Sequence, residues 1–103
     1  MGEKHEKNAK VFKAFCDENR LAILEMLQRG EICACHLLQD LSIGQSTLSH
    51  HMAILCESGV VTPRKDGKWT YYSIDVKGSK KAIALLQQIT KRSENYTAST
   101  CDQ

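Results

Sequence analysis

The sequence predicts a mostly α-helical fold carrying one small β-hairpin, and three observations lead there. Apolar residues recur at helical spacing in separate stretches along the 103-residue chain. Leu41-Ser42-Ile43-Gly44 leaves room only for a tight connection between two of those stretches. Asp66-Gly67, set between two short runs rich in Val, Thr, Tyr and Ile, is a strong hairpin signal.

Val11, Phe12 and Phe15 form an apolar stripe, which places a first helix over 6–15 and leaves the polar residues 1–8 frayed at its start. Asp17 is an N-cap for a second helix, whose buried face is Leu21, Ile23, Leu24 and Leu27 and whose stop is Gly30. A short third helix over 33–40 buries Leu37, Leu38 and Leu41. The fourth runs over 45–58 from Gly44, turns Leu48, Met52 and Leu55 inward and ends at Gly59. Strands over 60–65 and 68–74 follow, with Pro63 confining the first to an edge or an irregular position. Thr70, Tyr72 and Ile74 share one face of the second strand. A fifth helix over 76–91 carries Ile83, Leu86 and Ile89 on one stripe, with Ala82 and Leu85 beside it. Four helices, a hairpin and a closing helix, in that order, make a winged helix-turn-helix. Residues 1–92 are read as its DNA-binding and dimerisation domain. Residues 93–103 are Ser/Thr-rich, lack apolar periodicity and read as a flexible tail.

A chain of this size forms one domain with a modest core, which dimerisation can extend. The net charge of +2 says little about nucleic acid, because a whole-chain sum hides local patches. No apolar run is long enough to cross a bilayer, and the polar start Met-Gly-Glu-Lys-His lacks a signal-peptide core, so the expected location is cytoplasmic. In that compartment the five cysteines stay reduced, which favours metal or redox chemistry over a disulfide framework. No Cys-His-acid set can be assembled and there is no Gly-rich phosphate loop, so an enzyme is not expected.

Several segments match a known family. Phe15-Cys16-Asp17-Glu18-Asn19-Arg20-Leu21-Ala22-Ile23-Leu24 resembles its second helix, and Gln45-Ser46-Thr47-Leu48-Ser49-His50-His51-Met52 its recognition helix. Glu57-Ser58-Gly59-Val60-Val61 and Arg64-Lys65-Asp66-Gly67-Lys68-Trp69 resemble the start and tip of its wing. With Glu31-Ile32-Cys33-Ala34-Cys35 added, residues 9–90 resemble the ArsR/SmtB family of metal(loid)-responsive repressors, in its arsenic-sensing branch. The resemblance implies a homodimer that binds operator DNA in the apo form, without a cofactor, and leaves when a thiophilic ion binds. As(III) or Sb(III) is the first effector it implies; Cd(II), Pb(II) and Zn(II) are the alternatives.

Gln45, Ser46, Thr47, Ser49, His50 and His51 are short donors and acceptors on a helix nearly without Glu or Lys, which suits base edges and phosphates. Arg64, Lys65 and Lys68 flank the hairpin tip and are expected on phosphates. Trp69 and Tyr71 read as wing packing. Cys33 and Cys35 are the expected ion ligands, since two thiolates are a soft-ion donor pair and a helix N-terminus favours the thiolate. Residues two apart on a regular helix point about 200° apart, so ligation is expected to open the first turn. Arsenic repressors with this motif carry a further cysteine where this chain has Leu38. Cys101 on the tail, Cys16, or a small thiol are the candidates for the third position. His36 suits zinc better, and Cys56 reads as incidental packing. A thiol-redox switch is the competing reading, in which an intermolecular disulfide is open but a Cys33–Cys35 ring is disfavoured. The stripe of the fifth helix, with the first helix, is the expected dimer seam, and Lys77, Lys80, Lys81, Lys91 and Arg92 its solvated face.

Overall fold

A computed structural model describes residues 2–94. In chain order it contains α1 (Glu3–Lys13), α2 (Glu18–Leu27), β1 (Ile32–Cys33), α3 (Ala34–Leu41), α4 (Gln45–Glu57), β2 (Val61–Asp66), β3 (Trp69–Ile74) and α5 (Val76–Ile89). This is the winged helix-turn-helix that the sequence predicts, with one strand more.

The differences have local causes. α1 starts at Glu3, so residues expected to fray are helical. Glu3 and Glu6 in the first turn and Lys10 and Lys13 in the last complement the helix dipole. Phe15 falls beyond the helix and is exposed. Asp17 does cap α2, its carboxylate accepting from the backbone N–H groups of Asn19 (2.8 Å) and Arg20 (3.3 Å). Burial pushes the Asp17 pKa up, but those two N–H groups outweigh it and hold the carboxyl below the usual Asp range. The buried face of α2 is Arg20, Ile23 and Leu27; Leu21, expected inside, is 50% exposed. With Arg20 turned inward, its neighbour Leu21 points about 100° away.

β1 escaped sequence reading because two residues carry no periodicity. It pairs antiparallel with β3, Ile32 opposite Tyr72 and Cys33 opposite Tyr71, so the sheet order is β1-β3-β2. Pro63 accordingly lies on an edge strand. The hairpin turn falls one residue later than expected: Asp66 pairs with Trp69, leaving Gly67 and Lys68 in the turn. Gly67 has φ 63°, and a positive φ at the first central residue is what a type II′ turn requires. α3 ends on Ser42 in the left-handed region (φ 54°), while Gly44 is extended and precedes α4.

Ile23, Leu27, Leu37 and Leu55 are the largest fully buried side chains, so the core lies where α2, α3 and α4 meet. Leu48 and Met52 join it, as their spacing predicts. Asp75 ties α5 to the sheet: one carboxylate oxygen accepts from Gly78 N–H (2.8 Å), the other from the Thr62 hydroxyl (2.8 Å). No described helix is long and apolar enough to cross a membrane.

Gly78 lets α5 lie directly against the turn after α4, where a Cβ would run into the Gly59 carbonyl. Helix propensity alone favours Ala over Gly by about 1 kcal/mol. A clash with backbone, which cannot swing aside, costs about 1–3 kcal/mol. Gly78→Ala is therefore expected to lower unfolding free energy by up to about 2 kcal/mol in urea denaturation. An unchanged or raised midpoint would show that the turn yields.

Candidate functional site

Two groups of residues predicted from sequence meet around one cavity. α4 exposes Gln45, Ser46, Thr47, Ser49 and His50 to solvent. Lys65 and Lys68 are exposed on the wing, Lys68 with its ammonium 5.2 Å from the Trp69 ring centre. Between α4 and the wing lies an open-sided cavity of about 320 Å³, bordered by Cys33 and Cys35 at the start of α3, by Gln45 and Ser49 of α4, and by Trp69 and Thr70 of β3.

Two of the nine residues predicted to contact DNA are engaged within the protein. His51 is buried, because it lies on the same side of α4 as Leu48, Met52 and Leu55. Its Nδ1 accepts from the Arg20 guanidinium at 2.9 Å, which puts the ring proton on Nε2, 3.8 Å from the Asp17 carboxylate. Arg20 also donates through Nε to the Lys13 carbonyl (3.1 Å). This network fixes α4 against the start of α2. Arg64 gives its guanidinium fork to Glu31, with two hydrogen bonds of 2.8 Å, and stacks over Tyr71. Those bonds hold the Glu31 carboxyl below the usual Glu range and raise the Arg64 pKa further. The pair is exposed, so its worth lies in geometry more than stability. It fastens the wing edge to the residue just before β1. Neither partnership is legible in sequence: Arg20 and His51 are 31 residues apart, Arg64 and Glu31 33.

The thiol pair departs from expectation in a useful way. Cys33 is not helical; it is the N-cap of α3 with φ −70° and ψ 141°. Its side chain therefore converges on that of Cys35, sulfur to sulfur 2.9 Å, instead of pointing away. The opened first turn that ligation was expected to require is already supplied by β1. Two thiolates on one tetrahedral zinc, at about 2.3 Å each, sit about 3.8 Å apart, so small side-chain movements suffice to receive a soft ion. The contact with the Cys35 thiol, aided by the Cys35 and His36 backbone N–H groups, lowers the Cys33 pKa; the same contact raises that of Cys35. Of the two, Cys33 is the thiol that ionises more readily.

Cys16 is exposed beyond α1, donates to the Phe12 carbonyl (3.3 Å), and does not border this cavity. Among the described residues no group of three or more His, Cys, Asp or Glu side chains is placed to hold an ion. Cys101 lies outside the described residues, as does most of the expected tail. Cys56 is half-buried against the core, and burial pushes its thiol pKa up.

The sequence profile of the "bacterial regulatory protein, arsR family" matches residues 17–62, from the α2 cap into β2. An uncharacterized HTH-type transcriptional regulator of Methanocaldococcus jannaschii is 42% identical over 88 residues, covering 84% of this chain and 99% of that one. The arsenical resistance operon repressor of Staphylococcus aureus is 45% identical over 65 residues, covering 63% of this chain and 62% of the repressor. The solved structure of HlyU from Vibrio cholerae is 33% identical and superposes with a TM-score of 0.65, covering 89% of this chain and all of that one (100%). The relatives and the fold are those of DNA-binding transcriptional regulators, not of enzymes. The profile match across the helix-turn-helix, the near full-length similarity to a regulator and the winged fold lead to one conclusion: the chain belongs to the ArsR/SmtB family of transcriptional repressors.

Proposed function

We propose that the apo chain acts in the cytoplasm as a homodimeric repressor on a palindromic operator, and that As(III) or Sb(III), ligated by Cys33 and Cys35, releases it. The observation that carries this reading is the convergent thiol pair, set between the exposed polar face of α4 and the wing. Similarity to a repressor named for arsenical resistance supports the choice of ion. Gln45, Ser46, Thr47, Ser49 and His50 read the major groove, and Lys65 and Lys68 hold phosphates. Because Cys33 belongs to the same sheet as the wing, a ligand that repositions it also repositions β3. The test uses a duplex selected from a random pool by the reduced apo protein, titrated with arsenite, antimonite, cadmium, lead and zinc. Release by arsenite or antimonite at the lowest concentration supports the reading; release by a divalent ion alone replaces the effector. Thr47→Ala or His50→Ala should weaken binding to the selected duplex about tenfold. Lys68→Ala should weaken binding to every duplex and lower the salt slope by about one.

Dimerisation is supported by an apolar face that a lone protomer leaves in water: Ile83, Leu86 and Ile89 are 56, 50 and 52% exposed, with Phe12 and Phe15 alongside. A two-fold pair would place two α4 helices about one DNA turn apart. Light scattering at micromolar concentration should give a dimer, and Ile83→Glu a monomer. A monomeric unmodified chain would overturn the seam.

A further inference from the structure

The Glu31–Arg64 pair joins the two outer strands of the sheet across the central one. Arg64 on β2 is the register partner of Tyr71 on β3, so the two side chains share a face, and the guanidinium lies 4.7 Å over the Tyr71 ring. Glu31, the residue before β1, meets it there through two hydrogen bonds of 2.8 Å. The guanidinium is thereby committed on all its donor edges. Nε and Nη2 are spent on Glu31, one flat face covers Tyr71, and Nη1 stands 3.9 Å from the Asp66 carboxylate. A planar guanidinium is the side chain best matched to a phosphate. Here it faces two carboxylates instead, which together leave that spot negative and turn a phosphate away. Among the described residues neither Lys65 nor Lys68 forms an ion pair. Of the three cations that flank the hairpin tip, the fold withdraws the one most suited to DNA.

We infer that Glu31 is a specificity-determining residue for DNA reading: by clasping Arg64 across the sheet it keeps that cation off the phosphates, so that α4 and not the wing decides which duplex is held. This deepens the reading of α4 and the wing given above and rests on it. Specificity is a difference between two affinities, and it can be gained by weakening the unwanted complex. Phosphate contacts supply nearly all of the affinity for arbitrary DNA. A chain on arbitrary DNA is free to shift until an unpaired cation meets a phosphate. A chain on its operator is not, because the base contacts of α4 fix its register. A released Arg64 would therefore strengthen the first complex more than the second. The clasp also ties the outer strand of the wing to the chain that enters the helix-turn-helix, which holds Lys65 and Lys68 at one angle to α4.

The experiment is fluorescence anisotropy of the reduced full-length apo chain on the selected duplex and on a scrambled duplex of the same composition, over a range of salt concentrations. Glu31→Ala is expected to bind the scrambled duplex roughly tenfold more tightly at low salt, and to steepen the dependence of log affinity on log salt by about one for each protomer that engages. Its preference for the selected duplex should narrow several-fold. Arg64→Ala should leave the salt slope as it is, in contrast to Lys68→Ala, and the double variant should bind scrambled DNA no more tightly than Arg64→Ala alone. Both side chains lie at the surface, so neither truncation opens the core. A merely structural pair would weaken both duplexes and add no cation to the slope. A double variant that still gains affinity would show that Glu31 acts through its own charge and would overturn the inference. So would a slope that Glu31→Ala leaves unchanged, or one that Arg64→Ala flattens. In each of those cases a preference of the unmodified chain for the selected duplex, measured in the same series, still upholds the repressor. An unmodified chain with no such preference would overturn the inference and the proposed function together.

Discussion

Replacing either Cys33 or Cys35 by serine is expected to abolish arsenite-driven release from DNA, raising the half-release concentration at least a hundredfold, while apo binding changes less than twofold. The thiols border the reading surface but belong to a different turn from Thr47 and His50, and serine preserves shape while removing the soft donor. The ion acts only through its different affinity for free and DNA-bound protein, so losing a ligand removes the effect without altering the apo equilibrium. Fluorescence anisotropy of a labelled duplex, with and without arsenite, reads both quantities. A double serine variant that still dissociates at the original arsenite concentration would sink the assignment. Cys16→Ser and Cys101→Ser in the same assay rank the remaining thiols as third ligands.

The unequal thiols add a pH signature that separates the candidate ions. The Cys35 contact lowers the Cys33 pKa and raises that of Cys35, so between the two values one thiol is ionised and one is not. A divalent cation displaces the remaining proton, and its affinity rises about tenfold per pH unit across that window. Neutral arsenous acid condenses with protonated thiols and sheds water; with Cys33 already ionised it must take up a proton, and its affinity falls with a similar slope. Isothermal titration at several pH values gives the sign. A rising slope for arsenite would contradict the condensation scheme.

Arg20→Met should cost roughly 3 kcal/mol of stability, a large share for a domain of this size. The guanidinium is buried, donates to the His51 ring and to the Lys13 carbonyl, and leaves both acceptors unmatched when removed. Because His51 is on α4, the loss should also blur the reading helix: DNA affinity falls while the exposed contacts remain present. His50→Ala next door should weaken DNA binding with little change in stability. Urea denaturation of the two variants makes the comparison. Equal effects on stability would mean that the buried network holds nothing in place. Acid should act on the same region through Asp17. Its folded pKa is depressed, so its contribution is present above the usual Asp pKa and is lost as pH falls through the lowered value.

Periodicity, capping and turn chemistry are local, and they made the architecture legible from the sequence. Apolar spacing located all five helices, Asp17 marked the start of α2, and Asp66-Gly67 located the wing to within one residue. The exposed face of α4 and the pairing of Cys33 with Cys35 as one feature came from the same local reading. Tertiary structure decided whatever depended on partners distant in the chain. It placed Arg20 inside, donating to a histidine on another helix, and Leu21 outside. It buried His51 against Arg20 and paired Arg64 with Glu31. Above all it made Cys33 the end of a two-residue strand, a state with no periodicity to announce it, held by pairing with β3. That pairing turns two cysteines, which a continuous helix would point apart, into one convergent donor set. Sequence singled out the two cysteines, and long-range hydrogen bonding set their geometry, because a ladder partner some forty residues away leaves no local trace.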